Sequence, residues 1–320
     1  MDKPAVRLGR IRRLGIALTA LSAGVVVISA VIRLDAAGLG CADWPACYGQ
    51  MLAREPQALQ FGTVRLMHRI AASASLVLAC YVVWLCLRPK LLRPVGVYAS
   101  LLLLLMLALA TLGVWSSDPR QVFVGFLNIM GGLGLVTFSW RVFLTARSEP
   151  SKPRIARNTA ALGPLLRLGV AGLSMTVMAG AWLGASYAAV ACPSIPTCNG
   201  LWLPSADGLA ALNPFARATA APLPGDPGGV LLHLVHRYLA VSTFLVLGGA
   251  SVAALRRDTT RKTALVLLVL LTLEICLGGL SVLSGFRLWL VASHGACAAA
   301  LLASVATLLR REPGLFLRTG

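Results

Sequence analysis

Eight stretches of the chain run for about 20 residues with almost no charge, the length an α-helix needs to cross a bilayer core. They lie at roughly 15–33, 66–87, 95–115, 122–140, 166–188, 231–255, 263–285 and 288–309. Most connections between them are short, which makes neighbouring helices pack antiparallel. Three are long: 34–65, 189–230, and the polar, proline-bearing linker TARSEPSKPRIARNTAALGP between spans four and five. The pattern predicts an all-α membrane protein of two four-helix halves, residues 1–145 and 166–320, joined by a linker at 146–165. Each half has an even number of spans, so both enter the membrane from the same side. The halves are therefore expected to be parallel repeats about an axis along the membrane normal.

Composition agrees with this reading. Hydrophobic residues make up 58% of the 320, against about 45–50% in soluble chains, and mean hydropathy is +0.80. The net charge of +18 would suit nucleic acid if it were clustered on one soluble face. Instead 21 of the 29 basic residues fall in the N-terminus, the loops after spans two, four and six, and the C-terminus. That imbalance is the positive-inside signature. It puts both termini in the cytoplasm, the chain in the inner (cytoplasmic) membrane, and the charge against anionic lipid headgroups rather than nucleic acid. The first apolar stretch exceeds the roughly 7–15 residues of a signal-peptide core and lacks an A-x-A site, so it reads as a mature span.

A repeat lies across this frame. In each half an apolar helix runs into a loop with two cysteines, and a second apolar helix then carries His-Arg. The first copy reads GLGCADWPACYGQ (Cys41, Cys47) and then VRLMHRIAA (His68, Arg69). The second reads ACPSIPTCNG (Cys192, Cys198) and then LLHLVHRYLA (His236, Arg237). The chain has four histidines, His68, His233, His236 and His294, all inside predicted spans. Ionisable groups at membrane depth face a bundle interior and mark function, and neutral histidine is the commonest metal ligand. The second and fourth helices of a four-helix half face each other across its core. His236 and His294, 58 residues apart on spans six and eight, form the pair that six-coordinate bis-histidine haem requires. In the first half, 60 residues beyond His68, the matching place is Asn128. His68 is a candidate ligand or active-site group. His233, one turn before His236, reads as lining the outer rim.

Each cysteine pair would close a short ring, which the chain-entropy model values at about 2 kcal/mol. An eight-helix bundle hardly depends on that. The pairs therefore read as disulfides that shape the loops or exchange with a thiol partner; four thiolates on zinc is the rival. Cys80, Cys86, Cys276 and Cys297 fall within spans and read as packing residues. Glu274, in the middle of span seven, serves a proton relay, a hydrogen bond to a haem ligand, or an interhelical hydrogen bond. Arg69 and Arg237 are candidates for reaching haem propionates from the side, with Arg65, Arg33 and Arg287 as further rim cations. Trp44 and Trp202 suit an interfacial aromatic belt, and Trp44 also suits a porphyrin edge.

With Cys-x-Asp-Trp-Pro-x-Cys after the first span, His-Arg on spans two and six and a histidine on span eight, nearly the whole chain resembles the haem A synthase family. The resemblance implies a membrane oxidoreductase that oxidises a methyl substituent of haem O to the formyl group of haem A by successive hydroxylation. The product serves terminal oxidases. It also implies a haem b cofactor between His236 and His294, and substrate haem in the first half near Cys41 and Cys47. Expected partners are the enzyme that supplies haem O and terminal oxidase assembly factors. A homo-oligomer is compatible with it. The chain departs from the family at two places. Arg65 stands where the family has a glutamate, and Asn128 stands where it has a second histidine. An arginine cannot relay protons as a carboxylate does, and an amide is a poor axial ligand. The first-half site, His68 with Arg65 and Asn128, is thus expected to be altered. Iron at His68 would keep an open position. The alternatives are a catalytically altered haem-binding assembly protein and a bis-haem electron carrier.

Overall fold

The computed structural model describes residues 4–36, 62–88, 91–113, 120–147, 162–215 and 223–311. Its helices are α1 (Pro4–Ala36), α2 (Gly62–Leu87), α3 (Arg93–Leu112), α4 (Val122–Ala146), α5 (Leu162–Ala185), α6 (Pro227–Leu255), α7 (Arg261–Leu283) and α8 (Leu288–Arg311). All eight are long and apolar enough to cross a membrane, and no strand occurs among the described residues. The chain is a multi-pass α-helical membrane protein.

Helix α1 starts eleven residues before its hydropathy span, and α2, α5 and α6 start four before theirs; at α1 and α6 the cause is visible. The basic leader continues α1 back to Pro4 because Ile11 lies fully buried in the same core as Leu18, one helical face further along. At α6 the signal is a cap rather than hydropathy. The Asp226 carboxylate accepts the Gly229 N–H at 2.8 Å, and Pro227 occupies the first turn. His236 therefore lies nine residues inside α6, about 13 Å along it.

In the first half α1 packs on α2 and α4, and α3 packs on the same two, so the four helices close a ring. Their core contains Leu18, Val82, Leu102 and Val142. In the second half α5–α6, α6–α7 and α7–α8 pack in the same order. The gap between α5 and α8 is covered by α4, which packs on both, while α1 also packs on α8. The halves meet through Leu133 and Val136 of α4 and Ala299 of α8. Trp140 Nε1–H donates to Thr307 Oγ1 at 2.7 Å, and Arg33 Nη1 donates to the Gly184 carbonyl at 2.8 Å, tying α4 to α8 and α1 to α5.

Lipid removes the solvent drive that joins helices in water, so close packing and interhelical hydrogen bonds carry more of the association. The sequence supplies both on one face of α5: Gly169, Gly172, Thr176 and Gly180. A Cβ on Gly169 would lie 3.0 Å from the Leu247 backbone, and one on Gly172 would lie 2.9 Å from Thr243 Oγ1. Thr176 and Thr243 hydroxyls are 2.9 Å apart. The α1–α4 seam repeats the device, with Gly15 against the Phe143 backbone and Ser22 3.1 Å from Ser139.

Gly169→Leu should thus open the α5–α6 seam. Overpacking of this kind costs about 1–3 kcal/mol, so thermal unfolding in detergent is expected several degrees below wild type. Gly249→Ala, where a Cβ meets nothing within 4 Å, should leave the midpoint unchanged or slightly raised.

Candidate functional site

The imidazoles of His236 on α6 and His294 on α8 face each other with ring centroids 6.3 Å apart and planes 85° apart. Each ring has one nitrogen beside an oxygen of a neighbouring helix, hydrogen-bonded at His236 and in contact without a hydrogen bond at His294. His236 Nδ1 lies 3.1 Å from the Thr176 carbonyl oxygen of α5, so its N–H donates there and the Nε2 lone pair is left over. His294 Nδ1 lies 3.3 Å from Oε1 of Glu274 on α7. An outward nitrogen held by a carbonyl or carboxylate fixes the tautomer and ring orientation of a metal-binding histidine.

Two glycines make room for the rings. A Cβ on Gly180 would come within 2.8 Å of His236 Cε1, and one on Gly278 would come within 3.3 Å of His294 Cε1. Gly180 follows Thr176 by one turn, so a single face of α5 both anchors and cradles His236. The spacing of the pair suits one metal bound from opposite sides. A metal–nitrogen bond of about 2.0 Å on each side, plus the offset of each nitrogen from its ring centre, gives roughly the same separation. Thr176, Gly180 and Gly278 escape a search for chemical side chains. Their signal is a small residue at helical spacing on the helix beside a buried histidine.

The first half holds no such pair. It holds a cavity of about 670 Å³, a size typical of sites for small organic ligands. His68, Arg65 and Asn128 all line it, as do Arg33, Arg69 and Arg120. Its wall also includes Ala292, Gly295 and Ala296 of α8, residues flanking His294. All four histidines of the chain lie among the described residues, and His68 is the one at this cavity. His233 is 5% exposed and meets Phe286 edge-on at 6.0 Å between ring centroids. It is buried rather than at an exposed rim.

Arg69 and Arg237, matched in sequence, differ in surroundings. Arg69 is at the cavity. Arg237 donates to the carbonyls of Cys192 at 3.2 Å, Thr197 at 3.3 Å and Pro196 at 3.4 Å, pinning the cysteine loop to the helix that bears His236. Its guanidinium is thus engaged with backbone carbonyls. The Tyr238 hydroxyl adds a bond to the Trp202 carbonyl, while the Trp202 ring stays exposed. Within the loop Cys192 and Cys198 form a disulfide, Cα atoms 4.9 Å apart, both fully buried. Bonded sulfurs are not thiolate ligands for zinc. Cys41, Cys47 and Trp44 lie outside the described residues. Cys80, Cys86, Cys276 and Cys297 are free thiols. Glu274, placed by sequence in any of three roles, stands against His294.

Residues 12–306 match the family model described as cytochrome oxidase assembly protein. A haem A synthase from Shewanella oneidensis is 28% identical over 312 residues, covering 89% of this chain and 91% of that protein. A haem A synthase from Halalkalibacterium halodurans is 25% identical over 301 residues, covering 88% and 91%. A third, from Shouchella clausii, is 24% identical over 213 residues, 64% of this chain and 67% of that one. With eight spans, paired histidines in the second half and a family match that runs through both halves, the chain belongs to the cytochrome oxidase assembly protein family.

Proposed function

We propose that the protein is a haem A synthase, a membrane oxidoreductase that converts haem O to haem A for terminal oxidases. The observation that carries this is the coexistence of two unlike sites on one frame: the facing imidazoles of His236 and His294, and a separate cavity of about 670 Å³ with one histidine. In this reading the half spanning residues 166–320 holds a haem b cofactor and the half spanning 1–145 takes haem O as substrate. The chain sits in the cytoplasmic membrane with both termini cytoplasmic. The enzyme that makes haem O and the assembly factors of the oxidase are its partners.

Haem b bound between His236 and His294 supplies one-electron redox chemistry. The residues around it orient the ligands. Thr176 holds His236 through its carbonyl, Glu274 holds His294 through its carboxylate, and Gly180 and Gly278 leave room for the rings. In the cavity His68 would hold the substrate iron. Asn128 would offer a hydrogen-bond donor and acceptor rather than a second strong ligand. The change from methyl to formyl is a four-electron oxidation: two hydroxylations of one carbon, then loss of water from the hydrated aldehyde. A carrier with two bis-histidine haems is the weaker reading, since the first-half cavity has a single histidine.

His236→Ala and His294→Ala should each lose haem b from the purified protein, read by pyridine haemochrome spectra. His68→Ala should keep that haem and yet form no hydroxylated or formyl product from haem O. If His68→Ala makes haem A at the wild-type rate, the assignment of the cavity as substrate site fails. Glu274→Leu should keep the fold but weaken haem b retention about 10- to 100-fold, as loss of a ligand-orienting partner does, measured by haem transfer to an apo-acceptor protein.

A further inference from the structure

The first-half cavity has opposite chemistry at its two ends. At one end it is lined by Arg33, Arg65, Arg69 and Arg120, and by no Asp or Glu among the described residues. Arg33 donates to the Gly184 carbonyl and Arg120 has other partners. Arg65 and Arg69 make no hydrogen bond to a described residue, and they lie one turn apart on α2, either side of His68. At the far end the lining is Leu76, Met106 and Leu135. Of the four serines in the lining, Ser22 and Ser75 are taken up by Ser139 and by the Ala71 carbonyl, while Ser29 and Ser73 lie between the two ends.

Helix geometry gives the depth. Eleven residues of α2 separate Arg65 from Leu76, about 16 Å along the axis. On α4, fourteen residues separate Gln121 from Leu135, about 21 Å. His68 lies only about 4–5 Å below Arg65, so about 12 Å of cavity continues beyond it into the apolar end. A ligand centred on His68 would leave that end to a long hydrocarbon substituent.

We propose that the cavity takes a prenylated porphyrin in one orientation: carboxylates at Arg65 and Arg69, iron at His68, and the isoprenoid chain in the floor formed by Leu76, Met106 and Leu135. This deepens the haem O reading and rests on it. Guanidinium pairs with carboxylate through charge-assisted, geometrically matched hydrogen bonds. The reversed pose would push two carboxylates towards Leu76, Met106 and Leu135, where the lining has no cation to pair with them, a cost of several kcal/mol or more. Arg65 is therefore a positioning residue. The floor decides between porphyrins with and without the chain.

The test uses the full-length protein purified with its haem b, titrated in detergent with haem O and, separately, with protohaem, which lacks the isoprenoid chain. Met106→Trp fills the floor and should weaken haem O binding at least about tenfold, the effect of about 1.4 kcal/mol of overpacking, while protohaem binding stays within about twofold. Arg65→Ala and Arg69→Ala should weaken both haems by similar factors and reduce the salt dependence of both. Retained haem b absorbance reports an intact fold. Where Met106→Trp loses it, Ala110→Phe, which fills the cavity from the adjacent turn of α3, takes its place. Haem O binding that is insensitive to the filling variants, or falls in step with protohaem, overturns the orientation. Failure of the wild type to bind either haem beyond its haem b overturns the haem O reading itself.

Discussion

Everything at the second-half site depends on the tie between each imidazole and an oxygen of the next helix. Histidine at bilayer depth is costly unless its ring nitrogens are satisfied. The Thr176 carbonyl meets that need for His236, the Glu274 carboxylate stands 3.3 Å from His294 Nδ1, and the two rings lie 6.3 Å apart between centroids. Those ties in turn require the helices to approach closely. The glycines at 169, 172 and 180 give α6 its nearness to α5, and Gly278 leaves α7 room for His294. Close packing, tautomer and ring placement are thus one linked set. A larger residue at Gly180 would disturb the imidazole before it disturbed the core.

The first half uses the same seams and reaches a different end. Gly15 and the Ser22–Ser139 contact bring α1 to α4 much as the α5 stripe brings α5 to α6. But α2 presents His68 to empty space, and α4 presents Asn128 rather than an imidazole. Without a second ligand to draw the helices' inner faces together, the volume stays open. The arginines at one end of it then have a chemical consequence that the second half lacks. There Arg237 is spent on three loop carbonyls, and the disulfide-closed loop lies over the helix. The two halves share a frame, and one residue pair in each separates facing imidazoles from an open cavity.

The frame was readable because hydropathy over about 20 residues is a strong signal in lipid, where backbone polar groups leave no alternative to a helix. The helix starts moved where another force ruled. The start of α6 is set by Asp226 capping and Pro227, which a hydropathy window discounts. The start of α1 is set by Ile11 packing into the first core beneath a run of arginines. At the site, the histidines stood out because they are scarce and buried. Their partners did not. The Thr176 carbonyl belongs to the backbone and carries no residue signature, and Gly180 matters only for what it lacks. Arg237 reads as a propionate partner from its place after His236; its actual partners come from a loop about 40 residues away in sequence, whose path no local pattern gives.

The missing α5–α8 seam explains why the two sites are not independent. A second half closed on itself would have buried the far face of α8 against α5. Instead α4 and α1 of the first half cover that face. Helix α8 consequently presents His294 to one site and Ala292, Gly295 and Ala296 to the other. These three residues are small, so the cavity wall there is little more than backbone. Any shift of α8 that re-aims His294 also moves part of the first-half cavity wall. A substitution on this helix therefore cannot be assigned to one site by sequence position alone. A bulky side chain at Gly295, about 100° round the helix from His294, would enter the cavity while leaving the His294–Glu274 contact in place.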